Sequence, residues 1–91
     1  MNKNNNNQRE EQKRNIKSYL DKCNEDLSEY SYISVDANGT VCAWSVMPTK
    51  DDREYYAENV WAQGDFFKQL CRLYSGEMNL YQISEILEKK L

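Results

Sequence analysis

Apolar side chains recur at helical intervals in the first third of the chain. Steps of three or four residues, with one adjacent pair, join Ile16, Tyr19, Leu20, Cys23, Leu27 and Tyr30. This spacing places them on one face of a helix with about 3.6 residues per turn, while Lys, Asp and Glu cover the other faces. The pattern predicts an amphipathic helix from about Arg9 to Tyr30.

Residues 32–46 predict a β-hairpin, because Asn-Gly stands between two β-prone apolar runs. That arrangement is the strongest short-range hairpin signal. A two-residue turn at Asn38-Gly39 makes one face of the hairpin fully apolar. Its opposed pairs are Ile33 with Trp44 and Val35 with Cys42.

The sequence leaves a second register open. If Asp36 begins a type I turn and Gly39 follows as a left-handed bulge, the pairing shifts by one residue. The residues that then share one face are Ile33, Val35, Val41 and Ala43. The choice of register determines whether Trp44 belongs to the core or to the surface.

The segment that follows the hairpin is charged. Met47-Pro48 ends the second strand, because proline cannot donate to a sheet ladder. Residues 49–58 predict a loop, with room for one helical turn in which Thr49 is the cap and Asp52 the third position.

Asp65–Tyr74 is compatible with two structures. Helical spacing relates Phe66, Phe67, Leu70, Cys71 and Tyr74. The segment is also aromatic-rich and strand-length, and it is bounded by Gly64 and by Ser75-Gly76. Because an isolated hairpin is marginally stable, a third strand is attractive, although the spacing slightly favours a helix.

The C-terminal residues predict a short helix. Asn79–Gln82 resembles a capping box. Leu80, Ile83, Leu87 and Leu91 are spaced so that they lie on one apolar face of such a helix. Lys89 and Lys90 suit the C-terminal end of a helix dipole.

We therefore expect a flexible Asn-rich lead over residues 1–8 and a single α+β domain over residues 9–91. The domain contains an N-terminal helix, a three-stranded antiparallel sheet built on the hairpin, and a C-terminal helix. Both helices pack on one face of the sheet. The predicted core is Ile16, Leu20, Cys23, Leu27, Ile33, Val35, Leu70, Ile83 and Leu87.

The charge of −3 is unevenly distributed along the chain. Residues 1–20 carry +3 and residues 21–91 carry −6. The five basic residues of the first segment are diluted by Asn and Gln, so they do not form the dense basic face that nucleic-acid binding requires. Direct binding of nucleic acid is not expected.

Residue content excludes the common catalytic and metal-binding arrangements. The chain has no histidine and no Cys-x-x-Cys pair, and its three glycines are isolated. A Ser-His or Cys-His nucleophile, a zinc site and a phosphate-cradling loop are therefore ruled out. We expect no enzyme activity, no metal and no cofactor.

The three cysteines, Cys23, Cys42 and Cys71, each fall within an apolar pattern. We expect three buried and unpaired thiols, which fit a reducing compartment. No apolar run reaches the roughly 20 residues that span a bilayer, and the N-terminus lacks an apolar signal region. The expected location is the cytoplasm, without membrane association.

The segment from Thr49 to Trp61 is the candidate binding surface, because acidic residues there alternate with aromatic ones. Aromatic rings are enriched at protein interfaces, and exposed carboxylates steer a basic partner. The predicted partner-binding residues are Asp51, Asp52, Glu54, Tyr55, Tyr56, Glu58 and Trp61. A solvated loop whose rings pack on the core is the alternative.

The middle of the chain carries a series of features in a fixed order: Ile33–Val41 with its D-x-x-G-x-V motif, Ala43-Trp44, Pro48, Trp61 and Gly64. In these features it resembles a group of small uncharacterised bacteriophage accessory proteins. The resemblance implies that Phe66–Tyr74 is a strand, and it carries over no catalytic residue. The Asn-rich start and Met47 depart from the pattern of the group.

The resulting functional hypothesis is a phage-type accessory protein that binds and inhibits a host protein, such as a component of an anti-phage defence system. One alternative is an acidic mimic of nucleic acid that occupies a host nuclease or polymerase. Another is a sponge for a nucleotide signal, which the acidic body disfavours. A homo-oligomer is compatible with each of these hypotheses.

Overall fold

The structure is a computed structural model that describes residues 2–57, 67–73 and 77–87, with the backbone alone for residues 2–7. Its elements are α1 (Asn2–Cys23), β1 (Tyr32–Val35), β2 (Thr40–Trp44), β3 (Thr49–Lys50), β4 (Tyr55–Tyr56), β5 (Phe67–Arg72), β6 (Asn79–Gln82) and α2 (Ile83–Leu87). In this part of the chain, four strands form an antiparallel sheet in the order β5-β2-β1-β6. β3 and β4 pair separately as a hairpin. The α+β class is confirmed.

Helix α1 ends earlier than its apolar pattern predicts. Asn24 adopts a left-handed conformation with φ of 55°, and its N–H donates to the carbonyl of Leu20 at 2.9 Å. Asparagine tolerates this conformation and commonly closes a helix. The predicted end at Tyr30 is therefore wrong, although Leu27 remains buried in the loop that follows. The backbone is helical from Asn2, and the flexibility of residues 1–8 stays a prediction.

The turn between β1 and β2 has the bulged geometry. Gly39 has φ of +93°, and its N–H donates to the carbonyl of Asp36 at 2.9 Å. Asp36 in turn donates its N–H to the carbonyl of Thr40 at 2.9 Å. These two bonds define a four-residue turn closed by a left-handed glycine. The simple two-residue turn does not form.

The strand pairing follows from this turn. Ile33 pairs with Ala43, and Val35 pairs with Val41. All four side chains are fully buried in the core beneath the helices. Trp44 points to the opposite face of the sheet, where it is also buried.

Residues 67–72 form strand β5, so the helical interpretation of this segment is wrong. Val41 pairs with Cys71, but the next residue, Cys42, pairs with Gln69. Leu70 is consequently the extra residue of a β-bulge, and both it and Cys71 pack on the core. A bulge places two neighbouring residues, here Leu70 and Cys71, on the same face of the sheet. Adjacent apolar residues are also typical of the buried face of a helix, so the sequence pattern suited both structures. Phe66 and Tyr74 lie outside the described residues.

Residues 79–82 form strand β6 along the free edge of β1, so the predicted capping box at Asn79 is wrong. The sheet thus has one strand more than predicted within the described part of the chain. Helix α2 begins at Ile83, where the Gln82 N–H donates to Oε2 of Glu85 at 3.1 Å. Leu91 lies outside the described residues.

The predicted loop at residues 49–58 contains the β3–β4 hairpin instead of a helical turn. Thr49 pairs with Tyr56, and Lys50 pairs with Tyr55. The Asp51 N–H donates to the carbonyl of Glu54 at 2.8 Å and closes the hairpin. The chain therefore reverses direction within four residues.

The main core lies between the sheet and both helices, as predicted. Its buried members are Ile16, Leu20, Leu27, Ile33, Val35, Val41, Ala43, Leu70, Tyr81 and Ile86. The predicted residues Ile83 and Leu87 are partly buried at its edge. Cys23 is exposed, so its assignment to the core is wrong. It is the last residue of α1, so no further helical turn follows it to extend the buried apolar face.

Polar bonds tie α1 to the sheet at two places. The Tyr19 hydroxyl donates to the carbonyl of Leu70 in β5. The Tyr81 hydroxyl in β6 donates to Oε1 of Gln12 at 2.5 Å, and the Arg9 guanidinium lies 4.3 Å from the centre of the Tyr81 ring. Burial raises the pKa of Tyr81 to about 12. These contacts hold α1 across the sheet from one edge strand to the other.

Across the described residues, no helix combines the length and the apolar character needed to cross a membrane.

Gly39→Val is expected to destabilise the protein by about 2 kcal/mol or more, because valine strongly disfavours the positive φ. In addition, a Cβ at this position would lie 2.5 Å from the carbonyl oxygen of Leu73. Urea unfolding of the variant measures the loss. Lys50→Val places the same side chain in an exposed strand and is the matched control. Equal midpoints for the two variants would contradict the assigned turn.

Candidate functional site: the β3–β4 hairpin and its surroundings

The sheet face opposite the helices carries a second, smaller apolar cluster. Its buried members are Cys42, Trp44 and Tyr55. The Trp44 indole N–H donates to the hydroxyl of Ser34 at 2.8 Å, so its polar atom is satisfied inside the cluster. The Phe67 ring stacks on Trp44 with centroids 5.1 Å apart. The β3–β4 hairpin therefore packs on this face through Tyr55.

The hairpin is also bonded to the β1–β2 turn. The Ala37 N–H donates to the carbonyl of Arg53 at 2.9 Å. The Tyr55 N–H donates to the Asp36 carboxylate at 2.9 Å. Because one bond comes from the turn between β3 and β4 and the other from the first residue of β4, the tip of the hairpin is held against the β1–β2 turn.

The tip presents carboxylates to solvent. Asp51, Asp52 and Glu54 are exposed. Asp51 accepts the Asp52 N–H at 2.7 Å, so its carboxylate belongs to the turn. The side chains of Asp52 and Glu54 have no hydrogen bond or ion pair to the described residues. They are available to a partner.

A shallow depression of about 430 Å³ lies between the tip and the β1–β2 turn, lined by Asp36, Ala37, Asn38, Asp51, Asp52, Arg53 and Glu54. Arg53 supplies a positive charge among the carboxylates. Within the part of the chain that the structure describes, no group of three or more Asp, Glu, Cys or His side chains could hold a metal ion. The depression therefore offers charge for recognition and no assembled metal centre.

The structure separates the predicted partner-binding residues into three sets. Asp51, Asp52 and Glu54 lie together at the exposed tip. Tyr55 points inward and is buried, whereas Tyr56 is 38% exposed. Glu58 and Trp61 lie outside the described residues. Of the two tyrosines, Tyr56 alone is exposed to solvent.

Sequence reasoning missed three exposed apolar residues near the hairpin. Val46 and Met47 lie in the connection from β2 to β3, and they are 39% and 65% exposed. Phe67 is 47% exposed and lies opposite Trp44 in the sheet. The run Val46-Met47 before Pro48 was a local signal for an exposed apolar connection. Phe67 gave no such signal, because its position depends on the pairing of β5.

Comparison of the chain with protein-family models, with curated proteins and with solved structures finds no match.

Tyr55→Ala is expected to destabilise the protein by about 3 kcal/mol, because it empties the middle of the second cluster. Tyr56→Ala should cost less than about 1 kcal/mol, since much of that ring is already in water. Thermal and urea unfolding of the two variants provide the comparison. Equal losses would show that the inward and outward assignments of these rings are wrong.

The three cysteines are free, and they are expected to react at different rates with iodoacetamide at mildly alkaline pH. Cys23 is exposed and should react first. Burial, followed by the Asp36 charge, raises the pKa of Cys42 to about 11, so little reactive thiolate forms there. Burial also raises the pKa of the half-buried Cys71 thiol, which should react at an intermediate rate.

Peptide mass spectrometry of timed samples measures this order. The denatured protein is the control, and all three thiols should then react. Fast labelling of Cys42 in the native protein would contradict its burial. A disulfide in protein purified without oxidant would contradict the expected reducing compartment.

Proposed function

We propose that this protein is a phage-type accessory protein that binds and inhibits a host protein through its β3–β4 side. The docking area, called here the hairpin surface, consists of Val46, Met47, Asp52, Glu54, Tyr56 and Phe67. The observation that carries the proposal is the combination of exposed apolar side chains with free carboxylates around one short hairpin. A component of a defence system is the expected class of host target, and this part rests on the sequence resemblance.

The apolar members supply the binding energy. All four large apolar side chains that are exposed within the described residues belong to the hairpin surface. Aromatic rings are common hot spots, and their truncation can weaken binding by about 2 kcal/mol or more. Tyr56 can bury its ring while its hydroxyl stays hydrogen-bonded. It is therefore the proposed anchor.

The charged members select a basic partner. Asp52 and Glu54 form no ion pair with the described residues, so binding a cation does not require breaking an existing one. Exposed charges of this kind contribute mainly to the association rate and to partner choice. The proposed target consequently carries Lys or Arg beside an apolar pocket.

The contacts that fix the β3–β4 hairpin on the sheet limit the conformational entropy lost on binding. The bonds from Ala37 and to Asp36 hold the hairpin tip in place before a partner arrives. Tyr55 fixes the base of the hairpin in the second cluster. A surface that is already ordered loses less conformational freedom when it docks.

Protein docking is favoured over mimicry of nucleic acid because four carboxylates outside the hairpin surface are already paired with cations. Ion pairs with Lys or Arg engage Glu10, Asp21, Glu25 and Glu85. A mimic of the phosphate backbone presents many free charges at regular spacing. In the described part of this chain, the free carboxylates of Asp52 and Glu54 instead lie beside exposed apolar side chains.

Affinity capture from a bacterial host lysate, with quantitative mass spectrometry, tests the proposal. The wild-type protein should retain a partner that Asp52→Lys/Glu54→Lys and Tyr56→Ala lose. Glu11→Lys/Glu29→Lys makes the same change in net charge at two exposed residues away from the hairpin and is the matched control. It should retain the partner.

With the purified partner, Tyr56→Ala should raise Kd by about thirtyfold, and the charge reversal should mainly slow association. Equal retention by the hairpin variants and the control would place the interface elsewhere. If the wild-type protein retains no partner above background, the proposed function is wrong.

The salt dependence of Kd separates docking from mimicry. A partner bound through few charges should lose little affinity between low and moderate salt. A steep loss, together with competition by DNA for the same target, would replace the proposed function with nucleic-acid mimicry.

A further inference from the structure

A cavity of about 690 Å³ lies between the loop after α1 and the start of α2. Its lining includes Tyr32 at the start of β1, which is the opposite end of that strand from the turn at residues 36–39 and the hairpin tip bonded to it. Cavities of this size accommodate small organic ligands. Its lining shares no residue with the hairpin surface, so the two can be altered separately.

The walls are mainly apolar and aromatic. Leu27, Tyr30 and Tyr32 line the cavity from the loop and from β1, and Ile83 and Leu87 line it from α2. Leu27 is buried, and the other four side chains are partly buried. Such walls can pack against the hydrocarbon part of a ligand.

The charges around the cavity are of one sign. Glu25 and Asp26 are the only charged residues that line it within the described part of the chain. Glu25 is neutralised by the Lys68 ammonium at 2.7 Å. Asp26 has no ion pair to the described residues. One unbalanced negative charge therefore lies beside apolar walls.

Asp26 is held in place by its own loop. Its carboxylate accepts the Ser28 N–H at 3.1 Å, and this bond lowers the pKa of Asp26 below its ordinary value. The group is therefore ionised at neutral pH. The charge of the Lys68 ammonium acts on Asp26 as well as on Glu25, so these three groups together leave one net negative charge.

We propose that this cavity binds a small organic cation, namely an amine carried on an apolar body. The ammonium group pairs with the Asp26 carboxylate, and the apolar body packs against Tyr32 and Ile83. Aromatic rings also favour a neighbouring cation through their negative faces. An anion is repelled by the same carboxylate, and a neutral apolar molecule gains no charge pairing.

A titration of the full chain with 2-phenylethylamine, followed by ¹H–¹⁵N NMR, tests this site. Saturable shifts are expected at the backbone amides of Tyr32, Ile83 and Ser84, which line the cavity. 2-Phenylethanol has nearly the same shape without the charge. It should bind about tenfold more weakly, as expected for loss of one charge-assisted hydrogen bond.

The variant Asp26→Asn tests whether the Asp26 carboxylate is the group that pairs with the ammonium of the ligand. Asparagine keeps an oxygen that can accept the Ser28 N–H, so the loop is expected to fold normally. Its affinity for the amine should fall to that of the alcohol, while its affinity for the alcohol stays unchanged. Glu29→Gln removes one charge from an exposed residue outside the lining and should bind the amine as the wild type does.

Three results would overturn the proposal: no saturable shift with the amine, equal affinity for the amine and the alcohol, or equal effects of Asp26→Asn and Glu29→Gln. None of these results bears on the hairpin surface, because the titration uses neither a host protein nor any residue of that surface.

Discussion

The turn at residues 36–39 is the constraint on which the rest of the structure depends. Its left-handed glycine shifts the pairing of β1 with β2 by one residue and so assigns every side chain of the two strands to a face. The same turn receives other parts of the chain. Arg53 and Tyr55 bond to it from the hairpin, and the Leu73 N–H donates to the carbonyl of Gly39 at 2.8 Å. One short segment thus sets the register and holds two neighbouring elements.

The register divides the sheet into two different faces. Ile33, Val35 and their partners form the face beneath α1 and α2, where burial of apolar area supplies most of the stability. The other face carries Trp44, and among the described elements a two-stranded hairpin covers it. A cover this small leaves apolar side chains such as Met47 and Phe67 partly in water. Exposed apolar side chains beside free carboxylates suit a surface that binds another protein.

The candidate site was only partly predictable from the sequence. The charged segment with two adjacent tyrosines indicated where to look, since solvated carboxylates and aromatic rings have local signatures. Alternation within a strand then placed Tyr55 inside and Tyr56 outside, which required knowing that the segment is a hairpin. Phe67 joined the surface only through pairing of β5 with β2. No local pattern contains that information.

Local interactions let the sequence by itself determine the apolar face of α1, the presence of a hairpin, the α+β class and most of the core. Helical spacing and Asn-Gly turn chemistry act within a few residues, so they can be read directly. Tertiary structure alone decided the end of α1 at Asn24, the bulge at Leu70 and the pairing of β6 with β1. At each of these places the local pattern suited two conformations. Packing against distant segments selected one, because burial of the shared core outweighs small differences in local propensity.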